Sequence, residues 1–203
     1  MQLFANAARF SVVLNGHEDF AVYAFKGREV ISEPYEFTLE LVHRDPRQDL
    51  TAYIGTPALL TILDESGVPR LVHGLVQSMR FLKGGAVFSH YQCVIVPRVW
   101  FLGRNRNHRI FQHKSVKEII SRILEEQGFA PETFAFKCFY RYEAREYCVQ
   151  YGESDLYFIS RLCEEDITTS STRKRGTVCA FPTCRAGRTS PAGRTCFTSW
   201  ARA

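Results

Sequence analysis

The side chains best suited to hold a metal or move a proton in this 203-residue chain are its six histidines, His17, His43, His73, His90, His108 and His113. A zinc site built on one helix needs two imidazoles on one face, as in H-E-x-x-H, and no such spacing occurs. Cys179, Cys184 and Cys196 offer three thiols without a paired C-x2-C or a nearby histidine, so zinc is not expected there either. No G-x-S-x-G turn presents a serine nucleophile and no glycine loop cradles a phosphate; Gly84-Gly85 and Gly152 read as tight-turn glycines. Glu164, Glu165 and Asp166 are consecutive carboxylates at a helix end, and consecutive helical residues fan out around the axis rather than converge on one atom. They read as a solvated face. The chain is therefore expected to be no enzyme, with no catalytic, metal-ligating or cofactor-binding residues and no small-molecule substrate.

Charge is the next candidate for function. The loop Arg104-Asn105-Arg106-Asn107-His108-Arg109 is suited to phosphates or an acidic partner, but Phe101 and Phe111 flank it instead of interleaving, which removes the usual platform for stacking bases. The formal net charge of +5 has a different origin. Residues 168–203 hold seven basic side chains and no Asp or Glu, which leaves residues 1–167 with nineteen basic against twenty-one acidic, a net of −2. The same segment has eight Thr and four Ser, no Leu, Ile, Met or Tyr, and no apolar period that would build a packed face. The body is mildly acidic, and nucleic acid is not an expected partner for it.

The elements that must position these side chains fall into two groups. In the first hundred residues, Glu36-Phe37-Thr38-Leu39-Glu40-Leu41 alternates strictly, the pattern of a half-buried antiparallel strand. Phe20–Phe25 and Tyr91–Val96 are more apolar on both faces. Turns at Asp64-Glu65-Ser66-Gly67 and Lys83-Gly84-Gly85 separate strands at Ala58–Leu63, Arg70–Phe81 and Ala86–Val96. Short turns between successive strands favour a barrel or sandwich. After Pro97 the pattern changes. Ser115-Val116-Lys117-Glu118 is a capping box, followed by Val116, Ile119, Ile120, Ile123 and Leu124 at helical spacing, with Gly128 placed to stop the helix. Thr133–Tyr140 and Tyr147–Gln150 read as strands, and a second helix is capped by Ser154, with Asp155 at its positive end and Leu156, Ile159, Leu162 and Cys163 on one face up to Glu165. The fold class expected is mainly β with an α+β second domain: residues 1–98, residues 99–167, and an aberrant, disordered tail at 168–203.

Cys93, Cys138, Cys148 and Cys163 lie inside apolar stretches and read as buried thiols of a reducing compartment. The start of the chain has no basic and apolar signal pattern, and no apolar run approaches a membrane span, so a cytoplasmic location is expected.

The run Arg145-Glu146-Tyr147-Cys148-Val149-Gln150-Tyr151-Gly152-Glu153-Ser154-Asp155-Leu156-Tyr157-Phe158-Ile159-Ser160-Arg161-Leu162-Cys163-Glu164-Glu165 closely resembles a signature of the VgrG family, also called Rhs element Vgr proteins. Phe25–Phe37, His73-Gly74-Leu75-Val76 and Arg109–Val116 extend the resemblance in the same order. It implies a role rather than a reaction. VgrG proteins form the trimeric spike of the bacterial type VI secretion system and are similar to the baseplate hub and spike of contractile phages. Their N-terminal hub consists of barrel-like domains, whose trimeric ring docks on the tube of Hcp protein and works with spike-associated effectors; the full-length proteins are exported by the apparatus. On this resemblance, Arg145, Gln150, Tyr151, Glu153, Ser154, Asp155, Phe158, Arg161 and Leu162 are structural motif residues. Arg104, Arg106, Arg109, Glu164 and Glu165 are candidate subunit contacts.

The family continues beyond this point with the rest of the hub, an oligonucleotide-binding-type barrel and a β-helical needle, so a truncated hub fragment is expected. The tail reads as a shifted frame. If Ile167 is coded ATC and the frame moves so that its last base starts a codon, one permitted translation onward is His-His-Phe-Phe-Asp-Ala-Glu-Glu-Gly-His, the strand and turn the family places there. Two other readings stand beside the hub: a module that binds nucleic acid or another polyanion through the basic tail, and an inactive pseudogene product.

Overall fold

The computed structural model describes residues 9–30, 33–63, 67–134, 136 and 143–170, with side chains as far as residue 165. The expected turn at 64–66, Cys138, most of the strand expected at 133–140 and residues 171–203 of the tail lie outside the described residues. Two compact units succeed one another along the chain, dividing between Arg98 and Val99.

The first unit is a six-stranded antiparallel sheet: β1 (Phe10–Leu14), β2 (Ala21–Arg28), β3 (Glu36–His43), β4 (Pro57–Leu63), β5 (Pro69–Lys83) and β6 (Ser89–Val96), ordered β1-β4-β5-β6-β3-β2. It curls into a half-barrel. The alternation of β3 works as read: Phe37, Leu39 and Leu41 are buried while the residues between them are less so. Leu14, Leu60, Val76 and Ile95 join them in one apolar core. The edge strands β1 and β2 do not pair, but the Phe10 ring meets the edge of Phe25 at 4.9 Å, so an aromatic contact bridges the seam. Fifteen-residue β5 serves two neighbours, pairing β4 up to Leu75 and β6 from Leu75 onward. Gly74 stands where the partner changes. A Cβ there would lie 2.6 Å from both the Ile95 side chain and the Val96 carbonyl, so only glycine fits.

The second unit packs two helices, α1 (Val116–Glu126) and α2 (Asp155–Ser170), with a two-stranded antiparallel ribbon of β7 (Arg106–Lys114) and β8 (Arg145–Ser154). The capping box forms at the start of α1: Ser115 Oγ accepts the Glu118 N–H, and the Glu118 carboxylate accepts the Ser115 N–H. Gly128, at φ 75°, ends the helix by directing its N–H and that of Phe129 back to the last carbonyls. Ile119, Ile123, Leu124, Phe158, Ile159 and Leu162 form a second apolar core against Phe111 and Cys148 of the ribbon.

Five local readings change. Residues 106–109 are strand rather than loop, and β8 runs well beyond Tyr147–Gln150. Pro131–Thr133 is a short 3-10 turn, because proline sets φ at its first position, so no strand starts at Thr133. Gly152 sits within β8 at φ 63°, beside a register shift opposite Asn107 and His108, so it serves a β-bulge and not a tight turn. Helix α2 continues past Glu165 to Ser170.

Candidate functional site

The signature run folds into the junction of β8 and α2, and its polar residues sort into two networks. The first centres on Asp155, the first residue of α2, whose side chain is fully buried. Its Oδ1 accepts hydrogen bonds from Asn107 Nδ2 at 2.9 Å, Arg109 Nη1 at 3.1 Å and Gln150 Nε2 at 2.8 Å, and its Oδ2 accepts from Gln127 Nε2 at 3.0 Å. One carboxylate thus draws together β7, the end of α1 and β8 while sitting at the positive end of its own helix. Arg109 also pairs with Glu126 at 3.2 Å. Gln150, itself fully buried, donates a further bond to the Glu153 carbonyl.

The second network centres on Arg161 of α2. It donates to the Val149 carbonyl at 3.2 Å, to the Glu153 carboxylate and to Glu165 at 2.7 Å, and it lies over the Phe158 ring at 5.2 Å. Arg145 of β8 reaches the other Glu165 oxygen at 2.7 Å. The hydrogen bond to Glu153 is the main cause raising the already high Arg161 pKa. Burial pushes the Glu165 carboxyl upward, but the Arg145 and Arg161 guanidiniums outweigh it and hold the group below its ordinary value.

The remaining motif residues divide sharply. Phe158 and Leu162 are fully buried in the core, and Ser154 Oγ accepts the Tyr157 N–H at 3.2 Å as the cap of α2. Tyr151 is 81% exposed, on the ribbon face away from the helices, with its ring edge-on to His108 at 5.0 Å. Of the candidate contact residues, Arg104, Arg106 and Glu164 are exposed, and Arg106 Nη1 donates to the Gly152 carbonyl. Arg109 and Glu165 are held inside the unit by the two networks. Asn107 and Gln127 carry roles that no sequence pattern announced.

This arrangement binds elements together; it does not set a nucleophile beside a base. Burial pushes the Cys93 thiol up to about 12 and raises that of Cys148, the opposite of thiolate activation. Among the described residues, no three His, Cys, Asp or Glu side chains are grouped to hold a metal ion, and no helix is long and apolar enough to cross a membrane.

Comparison with known proteins agrees with the fold. The family model for the phage tail baseplate hub (GPD) matches residues 28–170. The Pseudomonas aeruginosa type VI secretion system spike protein VgrG4b is 42% identical over 164 residues, which is 80% of this chain and 20% of that protein. The spike protein VgrG5 of the same organism is 44% identical over 164 residues, with the same shares covered. The chain thus spans about one fifth of the length of these curated relatives. Among solved structures, the E. coli c3393 protein superposes with a TM-score of 0.70 and 28% identity, over 76% of this chain and 42% of that one. It is described as a component of the type VI secretion system with structural similarity to the T4 bacteriophage tail proteins gp27 and gp5. A Neisseria meningitidis tail protein, 14% identical with a TM-score of 0.54, shares the fold. With the model matched across both units and the VgrG type VI spike proteins similar over 80% of its length, this chain belongs to the phage tail baseplate hub (GPD) family.

Proposed function

We propose that the chain is a structural, non-enzymatic part of a type VI spike hub, assembling as a homotrimer whose ring docks on the Hcp tube and supports spike-associated effectors. The observation that carries this reading is how the signature residues are used. Eight of its nine residues are spent on the core, a helix cap or the two polar networks, and none points a reactive group into a shared cleft. Such a site holds a surface in a fixed shape, which is what a docking ring requires. Arg104, Arg106 and Glu164 are the exposed members of the proposed contact set, while Arg109 and Glu165 support them from within the unit. The chain would act in the cytoplasm before leaving with the spike.

Sedimentation velocity of the full chain tests the assembly. A trimer that persists when salt rises from about 0.1 M to about 0.5 M is expected, because a ring interface excludes water from its apolar centre. A monomer across the accessible concentration range would contradict the assembly, and DNA binding lost on deleting residues 168–203 would favour a polyanion-binding role instead.

A further inference from the structure

The hub reading leaves unused the end of the sheet where β5 turns into β6. All eight residues from Phe81 to Phe88 are exposed, and Phe81, Leu82, Val87 (65%) and Phe88 are large and apolar. The Phe81 ring rests on buried Tyr91 at 5.6 Å. Leu82 is the extra residue of a β-bulge between Phe81 and Lys83, so no residue of β6 stands opposite it. Tyr23 of β2, also exposed, sets its ring against His90, the residue paired with Lys83.

Cations surround this tip. Arg80 and Lys83 are on the hairpin itself, and the Arg44 guanidinium lies 5.8 Å from the centre of the Phe88 ring. There is no carboxylate between Arg80 and Phe88. The nearest acid by strand pairing, Glu40, is engaged with His90 at 2.8 Å.

We propose that this hairpin tip is an interfacial insertion element for an anionic lipid surface. A projecting turn with apolar side chains on both of its arms is covered more completely by a fluid apolar layer than by one flat protein face. The long stems of Arg44, Arg80 and Lys83 let their charges meet anionic headgroups while the apolar groups lie deeper. The exposed backbone of the Gly84-Gly85 turn is best accommodated at headgroup depth, since hydrocarbon offers its polar groups no partner. This inference goes beyond the hub reading and stands or falls separately from it.

The test is flotation of the full chain with phosphatidylcholine vesicles and with vesicles of phosphatidylcholine and phosphatidylserine at roughly 7:3. Salt is held at about 0.15 M, and the parent chain and L82D/V87D carry the same seven basic residues of the tail, so the difference between them reads the tip. The phosphatidylserine vesicles are expected to bind the chain, and L82D/V87D to weaken binding by at least about tenfold with an unchanged circular dichroism spectrum. F88W is expected to show a blue-shifted emission on adding these vesicles. Equal binding by the parent chain and L82D/V87D, or no shift from F88W, would overturn the proposal. So would loss of self-association in L82D/V87D without any vesicle binding, which would assign the tip to a protein contact.

Discussion

The six-stranded sheet buries Leu39, Leu41, Leu60 and Ile95 with Ser89 as its one buried polar residue among those described, whereas the smaller ribbon unit buries both Gln150 and Asp155. The difference follows from the number of strands. Six strands enclose a continuous apolar core and fix register through alternation alone. Two strands are marginal by themselves, so the ribbon depends on helices for its support and on directional bonds for its geometry. An apolar contact tolerates sliding, but a carboxylate with four donors from three other elements does not. The lesson is that the second unit spends stability on uniqueness of arrangement, and substitution can separate the two strategies.

The largest effect is expected from Asp155→Ala. It leaves Gln150 as a buried donor and removes the acceptor that Asn107, Arg109 and Gln127 share, and should cost about 3–5 kcal/mol, read as lost amide protection over residues 145–165 with strand β3 unchanged. If β3 loses protection equally, the two units are not held by separate means. Gly74→Ala attacks the sheet instead. Its Cβ meets backbone as well as the Ile95 side chain, so a loss of about 1–3 kcal/mol is expected in chemical denaturation followed at the sheet. Ser115→Ala removes the α1 cap, and a loss of about 1 kcal/mol is expected in the ribbon unit alone.

The smallest effect concerns pH. Because the folded Glu165 carboxyl lies below its ordinary value of 4.5, its stabilising contribution is present above that value and is lost as pH falls through the folded one. Amide exchange in α2 should therefore accelerate on acidification below 4.5 more than exchange in β3. Arg161→Gln should flatten that difference. An unchanged acid response would mean that Glu165 gains nothing from its two arginines.

Much of the sheet was legible because burial there is written as alternation. Phe37, Leu39 and Leu41 face the core as their spacing predicts, and the Ser115 and Ser154 caps stand where hydroxyl and spacing placed them. Residues 106–109 were misread as a loop for a physical reason. The inward positions of that strand are Asn107 and Arg109, partly buried and turned in to bind Asp155, so the face that normally shows apolar periodicity is polar. Asp155 itself was recognised as a charge at a helix start, but its burial depends on partners 46 and 48 residues away that no local pattern reveals. Gly152 looked like a turn because a bulge and a turn ask the same positive φ of the backbone. The signature residues divide by what they touch in the folded unit, into core, polar lock and the outward-facing Tyr151, a division that no local pattern carries.

The most direct test of the hub assignment is a transplant. The segment of Pseudomonas aeruginosa VgrG4b that matches this chain is replaced by the chain's own residues up to Ser170, and Hcp is measured in the culture medium of a strain lacking the native protein. A hub-like region predicts a stable chimera that restores Hcp release. A chimera that folds and accumulates but releases no Hcp would contradict the account.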